Sequence, residues 1–304
     1  MKEKVNLARL FLMSFRVYSL PYVTMLCLIG LILIYPDTPT YYIVVFSFIA
    51  ILCWIGGMLY YDLSHAEEDK VKKPYRLLPQ FPEAKGRILI LVFLLFFSAS
   101  LIVFLINPVK SILLLIAGLT LMFLYDFFKK VNVFYGKYLI RGLGGIFLLI
   151  LAPFIFSIIT FEVILVCIAI FFLDSAGNLA GDIRDWMVDG ASSIISRLGL
   201  KKTMFLQFSL AISGATLLST LTVVQNMIEI FILLVSFSLI FETLMLRKIN
   251  VNNIHKFYIF FKTALLLTLI SIYTSPLTLI LLIPVLILVD YTYRITHIYP
   301  VKQQ

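Results

Sequence analysis

The composition of this 304-residue chain excludes an ordinary soluble protein. Hydrophobic residues make up 62% of the sequence and charged residues only 13%, with a mean hydropathy of +1.04, whereas a soluble domain needs a polar surface. The net charge of +9 would suggest nucleic-acid binding in a soluble protein, but in a membrane protein it is typical of basic loops on one side of the bilayer. We therefore expect a multi-pass membrane protein whose surroundings are membrane lipids, with no nucleic-acid partner.

Ten apolar segments follow one another along the chain, and each is long enough to cross the hydrocarbon of a bilayer as a helix. Closed barrels are excluded because these segments do not alternate polar and apolar residues. The expected fold class is all-α, a transmembrane helical bundle that forms a single membrane-embedded domain over residues 1–304. The segments lie at about 13–35, 41–61, 87–107, 110–127, 139–159, 161–181, 204–224, 227–246, 256–273 and 276–294.

The basic residues are unevenly shared between the loops. One set of loops and both termini hold nearly all of the Lys and Arg, whereas the alternate loops, such as 36–40 and 225–226, are short and nearly free of positive charge. The positive-inside rule then predicts that both termini face the cytoplasm, together with two Asp-rich loops at 62–86 and 182–203. An even number of crossings satisfies this prediction.

The first acidic cluster ends the second apolar segment. Asp62, His65 and Asp69 would share one face of a helix, because each residue advances about 100° around the axis. A basic, proline-containing stretch follows, with Lys73 and Arg76 in it. A basic cytoplasmic loop with incidental acids explains the cations but leaves the spacing of the acids unexplained.

The second acidic cluster ends the sixth segment and repeats that spacing. Asp182, Asp185 and Asp189 stand at the same offsets, Asn178 lies one turn earlier on the same face, and Asp174 lies at its edge. A solvated acidic turn is the simpler alternative. Stacked carboxylates repel one another, however, and their oxygens suit a hard cation such as Mg²⁺. Two equal triplets at equivalent helix ends predict two jaws around metal ions that hold a diphosphate.

These motifs resemble those of the UbiA-type intramembrane prenyltransferases. That family carries Asn-Asp-x-x-Asp-x-x-x-Asp after its second helix, which appears here as Tyr61-Asp62-x-x-His65-x-x-x-Asp69, and a second Asp-rich motif after its sixth helix. The family's Tyr-x-x-x-Lys appears as Tyr125-x-x-x-Lys129. Tyr61 and His65 depart from the family pattern. Because the family usually has nine helices, the resemblance implies nine core helices and a tenth, C-terminal helix.

The resemblance implies a Mg²⁺-dependent transfer of an isoprenoid group from a polyprenyl diphosphate donor to an aromatic or lipid acceptor within the membrane. It implies metal ligands on both acidic motifs, namely Asp62, Asp69, Asp182, Asp185 and Asp189. The diphosphate contacts that it implies are His65, Lys73, Arg76, Lys129 and Asn178. Arg76 and Lys129 would neutralise the leaving group, and Tyr125 would bind one of its oxygens.

Three alternatives remain open at this stage. A terpene cyclase or a non-catalytic homologue of the same fold would explain the unusual His65, and a transporter would use charges in the middle of the membrane. Glu242 and Lys262 lie inside apolar segments at similar depth. They either pair with one another or Lys262 extends to the membrane surface, and the sequence favours neither.

Overall fold

The computed structural model describes residues 7–131, 136–189, 194–224 and 251–296. Within these ranges every regular element is helical and no strand occurs, so the predicted all-α class is confirmed. The helices are α1 Leu7–Phe15, α2 Leu20–Ile34, α3 Thr40–Ser64, α4 Ala66–Lys72, α5 Leu77–Gln80, α6 Lys85–Ile106, α7 Pro108–Lys130, α8 Gly136–Phe156, α9 Phe161–Asp189, α10 Ile194–Leu198, α11 Leu200–Val224, α12 Val251–Tyr273 and α13 Leu282–Thr296.

Nine stretches of the described chain are long and apolar enough to cross a membrane, and they coincide with nine of the ten predicted segments. The remaining segment, 227–246, lies outside the described residues. The nine stretches are Leu7–Ile34, Thr40–Lys72, Pro82–Ile106, Pro108–Phe128, Tyr138–Phe156, Phe161–Trp186, Leu200–Leu221, Ile254–Tyr273 and Leu277–Thr296. The protein is therefore a multi-pass membrane protein.

The first stretch is broken near its beginning. Arg16 adopts a left-handed conformation with φ 49° and ψ 52°, and a 3₁₀ turn over Val17–Ser19 leads into α2, whose second residue is Pro21. Proline fits the first turn of a helix because its missing N–H would have no helical partner there. The break separates α1 from α2 and leaves Arg16 at the corner between them.

The long helices are arranged around a central space. Helix α2 packs against α3, α8 and α12, while α9 packs against α8, α11 and α12. The chain of contacts from α3 through α6 and α7 to α8 completes the ring. Gly30 permits the close approach of α2 and α8, because a Cβ there would lie 1.9 Å from the carbonyl oxygen of Leu149.

The predicted C-terminal helix is present as α13. Ser275 accepts a hydrogen bond from the backbone N–H of Leu277, and a 3₁₀ turn over Pro276–Leu281 leads directly into the helix. This cap replaces the longer loop that a turn between two spans often needs. Helix α13 contacts α1, α12 and Val17–Ser19, so it lies at the edge of the bundle.

Candidate functional site

The first acidic motif is gathered around one arginine. Helix α3 ends at Ser64 and α4 begins at Ala66, so the motif is interrupted at His65 and is not one continuous helix as the spacing predicted. Asp62 and Asp69 nevertheless converge, because Arg76 donates from Nη1 to Oδ2 of Asp69 at 2.7 Å and to Oδ1 of Asp62 at 3.5 Å. Burial by itself would lower the pKa of Arg76, but the two carboxylates raise that pKa above its ordinary value and keep the guanidinium charged.

The second acidic motif occupies the last turns of α9. Asp185 receives hydrogen bonds from Nε and Nη2 of Arg184 at 2.6 and 2.9 Å, and from Nζ of Lys73 at 2.9 Å. The Tyr138 hydroxyl donates to Asp182. The Lys73–Asp185 ion pair joins the segment after α4 to α9, so the two acidic motifs face each other across a bridged gap.

Three of the predicted metal ligands, Asp62, Asp69 and Asp185, are paired with cations in this arrangement. Among the described residues, no three His, Cys, Asp or Glu side chains converge into a cage for a metal ion. A complete cage is not required for Mg²⁺, which commonly takes one or two carboxylates together with substrate phosphate oxygens and water. The shared position of Asp62 and Asp69 around Arg76 fits such a donor set.

Two predicted site residues cannot be placed in full. Lys129 lies in the last turn of α7 and Asp189 ends α9, but both side chains are outside the described part of the protein. Tyr125 and Asn178 can be placed. Arg141 donates from Nη1 to Oδ1 of Asn178 at 2.9 Å and from Nη2 to the hydroxyl of Tyr125 at 3.3 Å.

The two residues that depart from the family pattern stack on one another. The rings of Tyr61 and His65 lie 4.0 Å apart, and Nδ1 of His65 donates to the backbone carbonyl of Tyr61 at 2.8 Å. The guanidinium groups of Arg16 and Arg141 lie 4.6 and 5.1 Å from the centre of the Tyr61 ring. Such cation–π contacts hold positive charge beside an aromatic face.

Sequence analysis missed Arg16 and Arg141 as site residues. Neither guanidinium forms an ion pair with a carboxylate among the described residues, and both line the central cavity. Arg141 lies within an apolar span, and a charge in such a position is a signal of function by default. Arg16 carries no such signal, because only the break between α1 and α2 turns it towards the cavity.

The central cavity has a volume of about 1400 Å³, its open mouth included. One part of its wall is polar and includes Arg16, Tyr61, Tyr125, Arg141 and Asn178. The rest is largely apolar, with the lining residues Leu26, Trp54, Phe96, Met122, Phe147 and Leu148. The carboxylates of Asp62, Asp69, Asp182 and Asp185 are not in this wall, but Asn178 precedes Asp182 by one turn of α9, or about 6 Å along its axis.

Comparison with known proteins agrees with this architecture. The model of the UbiA prenyltransferase family matches residues 23–266, and the chain belongs to that family. Helix α13 lies beyond the matched residues. No sequence among curated proteins matched the chain significantly.

Two solved structures share the fold. A structure of a UbiA homologue from Archaeoglobus fulgidus bound to DMAPP and Mg²⁺ superimposes with a TM-score of 0.65 and 12% identity, covering 95% of this chain and 99% of that one. A structure described in terms of digeranylgeranylglyceryl phosphate synthase in membranes gives a TM-score of 0.63 and 16% identity, covering 88% and 98%. At these identities the likeness concerns the fold.

Proposed function

We propose that this protein transfers an isoprenoid group from a prenyl diphosphate to an acceptor within the membrane. The observation that carries the proposal is a large apolar cavity with two guanidinium groups, Arg16 and Arg141, that lack a carboxylate partner among the described residues. Positive charge in a low-dielectric cavity wall favours the binding of an anion. An apolar cavity with an anion site at its polar part suits a long hydrocarbon tail joined to a diphosphate.

The acidic motifs supply the metal side of this proposal. Mg²⁺ bound by Asp62 and Asp69, and by Asp182 and Asp185, would withdraw negative charge from the diphosphate and make it a better leaving group. Asp189 remains a proposed ligand on sequence grounds. The homologue from Archaeoglobus fulgidus that was solved with DMAPP and Mg²⁺ supports the same ligand and metal for this chain.

The cations of the site would form ion pairs with the diphosphate as it binds. Arg76 pairs with Asp69 at 2.7 Å and Lys73 pairs with Asp185 at 2.9 Å. Both cations therefore lie between the two acidic motifs, where the diphosphate would bind. Together with Arg141 they stabilise the negative charge that develops on the leaving group. His65, Asn178 and Lys129 are the further diphosphate contacts that we propose, and Tyr125 would bind an oxygen there.

The chemistry begins when the bond between C1 of the isoprenoid and the diphosphate oxygen breaks, with its electron pair leaving on the diphosphate. The allylic cation that remains is stabilised by aromatic faces, and Tyr61, Trp54 and Phe96 line the cavity where it would form. The apolar wall also excludes water, which would otherwise capture the cation. An acceptor then bonds to C1.

The setting of the reaction is the cytoplasmic side of the membrane. We propose that both termini and both acidic loops face the cytoplasm, and that residues 1–304 form one membrane-embedded domain. The donor head group would then enter from the cytoplasm. The acceptor would be an aromatic compound or a lipid that reaches the cavity through the bilayer.

Incubation of the purified protein in lipid nanodiscs with Mg²⁺ and C1-labelled prenyl diphosphates tests the proposal. Label that moves into a new product only when an acceptor is added indicates a transferase. Label that appears in a cyclic product without any acceptor indicates a cyclase. A donor that stays intact at every chain length, with every acceptor tried, contradicts catalysis and favours a non-catalytic or transport role.

A further inference from the structure

A buried ion pair inside the bundle has no role in the proposed departure of the diphosphate. Nζ of Lys262 in α12 lies 3.0 Å from Oδ1 of Asp174 in α9, and each side chain is only 12% exposed. The hydroxyl of Tyr22 in α2 donates to the same Oδ1 at 2.7 Å. Nζ of Lys262 also lies 3.6 Å from the centre of the Tyr22 ring. Three helices therefore meet at one carboxylate oxygen.

A purely structural role accounts poorly for this group. Burying two charges costs several kcal/mol per ion, and a well-packed apolar contact often gives equal or greater stability. The three residues join helices, but they also border a ligand-sized space, because Asp174, Lys262 and Tyr22 all line the central cavity. A charged pair that borders a cavity inside a membrane protein is a candidate for contact with a ligand.

Only one of the two carboxylate oxygens of Asp174 accepts hydrogen bonds from the described residues. Oδ1 of Asp174 accepts both hydrogen bonds, and Oδ2 has no hydrogen-bond partner among the described residues. Oδ2 lies against Gly145 of α8, where an added Cβ would be 2.0 Å from it. The absence of a side chain at Gly145 is therefore what lets the carboxylate occupy this place in the cavity wall.

Asp174 lies at a distance from the proposed diphosphate site that suits the binding of a second substrate. Asp174 precedes Asn178 by one turn of α9, or about 6 Å along the helix axis, and the two residues border the same cavity. Asn178 is bound by Arg141, one of the two cations without a carboxylate partner among the described residues. A group held by Asp174 would lie beside the isoprenoid, deeper in the bundle than its head group.

We propose that Asp174 binds the hydroxyl group of the acceptor and takes its proton, while Lys262 and Tyr22 hold the carboxylate in position. The acceptor class is then an alcohol or a phenol. As the diphosphate leaves with the electron pair of its bond to C1, the O–H bond of the acceptor breaks and its proton moves to Asp174. The electron pair of that O–H bond forms the new oxygen–C1 bond. If a ring carbon of a phenol attacks instead, that pair becomes part of a C=O bond while a ring electron pair forms the carbon–C1 bond. The proton on that ring carbon then moves to the oxygen and restores the aromatic ring.

This inference rests on the proposed function, and its test separates the two. The protein in nanodiscs is given Mg²⁺, labelled geranyl diphosphate and two acceptor probes, an alkylphenol and a monoalkylglycerol ether, each beside its fully O-methylated counterpart. Binding of a donor analogue that cannot ionise is measured in parallel. We expect label to enter at least one hydroxyl probe and neither methylated counterpart.

Asp174→Asn should lower transfer about 100-fold or more, the usual contribution of a general base, without changing the affinity for the donor analogue. Gly145→Ala should also lower transfer, because the new methyl group overlaps Oδ2 of Asp174. Gly86→Ala in α6 is the control, since an added Cβ at Gly86 meets no atom within 4 Å and Gly86 does not line the cavity, and it should behave as the original protein. The glycine pair decides the question if Asp174→Asn fails to fold.

Several results would overturn the inference while leaving the proposed function intact. They are transfer by Asp174→Asn within a factor of about two of the original rate, equal loss in both glycine variants, or labelling of the methylated probes. Donor binding without transfer to any hydroxyl probe would also overturn it. A protein that binds no donor analogue at all would reject the proposed function, and the inference would fall with it.

Discussion

Three carboxylates of the two acidic motifs have cationic partners. Asp62 and Asp69 share Arg76, and Asp185 is held by Arg184 and Lys73. An isolated buried carboxylate would be costly, so these cations stabilise the site. A diphosphate with Mg²⁺ offers the same residues better partners, because the cations gain phosphate oxygens and the carboxylates gain a metal.

The acid at position 69 should be essential for turnover. Asp69→Asn removes a metal ligand and the 2.7 Å partner of Arg76, so we expect a fall of about 100-fold or more in Mg²⁺-dependent kcat/KM. Glu67→Gln, in the same helix, is the matched control because Glu67 is 75% exposed and pairs only with Lys70 among the described residues. Activity of Asp69→Asn within threefold of the control would contradict the assignment.

His65 should affect binding of the donor more than binding of the metal. Its Nδ1 is committed to the Tyr61 carbonyl, so a phosphate contact would have to use Nε2. His65→Ala also removes the stacked partner of Tyr61, and we expect the KM for the donor to rise by roughly 3–10-fold, equivalent to about 1 kcal/mol. His65→Asp, which restores the family residue, should retain activity.

Titration of activity against donor and against Mg²⁺ separates the two effects in the His65 variants. An unchanged donor KM in His65→Ala would identify His65 as a bystander. A larger change in the Mg²⁺ requirement than in the donor KM would instead make it a metal ligand.

At the scale of helices, α13 packs against the bundle although it lies beyond the residues that the family model matches. Tyr293 is 2% exposed, its ring centre lies 5.1 Å from that of Tyr18, and its hydroxyl lies 3.5 Å from Nη1 of Arg184. Arg184 in turn binds Asp185. Helix α13 thus supports one side of the second acidic motif.

Replacement of Tyr293 should therefore destabilise the protein. Tyr293→Ala leaves a cavity between α13 and its neighbours, and we expect a loss on the order of 1–3 kcal/mol, measured as a lower melting temperature in detergent. Tyr291→Ala is the control on the same helix, since Tyr291 is 63% exposed. Equal melting temperatures for the two variants would mean that α13 is not anchored through Tyr293.

The helices were predictable from the sequence because hydropathy alone decides which segments enter a membrane. The two acidic motifs were predictable because spacing along a helix places residues on one face. The break at His65 was not, since the interrupted and the continuous helix place the same residues near the same membrane surface. Nothing in one sequence told which of many basic residues would pair with Asp62, Asp69 and Asp185.

The interior polar residues illustrate the limit more sharply. Asp174 looked like the edge of the acidic face, yet it pairs with Lys262 and Tyr22, which are 88 and 152 positions away in sequence. Glu242, which the sequence offered as a partner for Lys262, lies outside the described residues. Such contacts depend on which helices become neighbours, and periodicity does not contain that information.

For the whole molecule, the uneven distribution of basic residues predicts one orientation in the membrane. Val71 in α4 is 85% exposed beside Lys70, Lys72 and Lys73, whereas Asp37 is exposed between α2 and α3 in a loop without Lys or Arg. We expect these positions to lie on opposite sides of the bilayer, with Val71 in the cytoplasm.

Labelling with a membrane-impermeant thiol reagent checks this orientation. In right-side-out vesicles, and with Cys27, Cys53 and Cys167 replaced, Asp37→Cys should react at once and Val71→Cys only after the membrane is opened. The reverse pattern would place the acidic motifs outside the cell and contradict the proposed topology.

The central claim is that the acidic motifs and the cavity together bind a prenyl diphosphate with Mg²⁺. An experimental structure of the protein with Mg²⁺ and a donor analogue that cannot ionise tests it most directly. We expect the diphosphate within hydrogen-bond distance of Arg141, Mg²⁺ on Asp62 or Asp69, the Lys73–Asp185 pair opened, and the isoprenoid tail beside Trp54 and Phe96. A head group bound elsewhere, with these ion pairs unchanged, would contradict it.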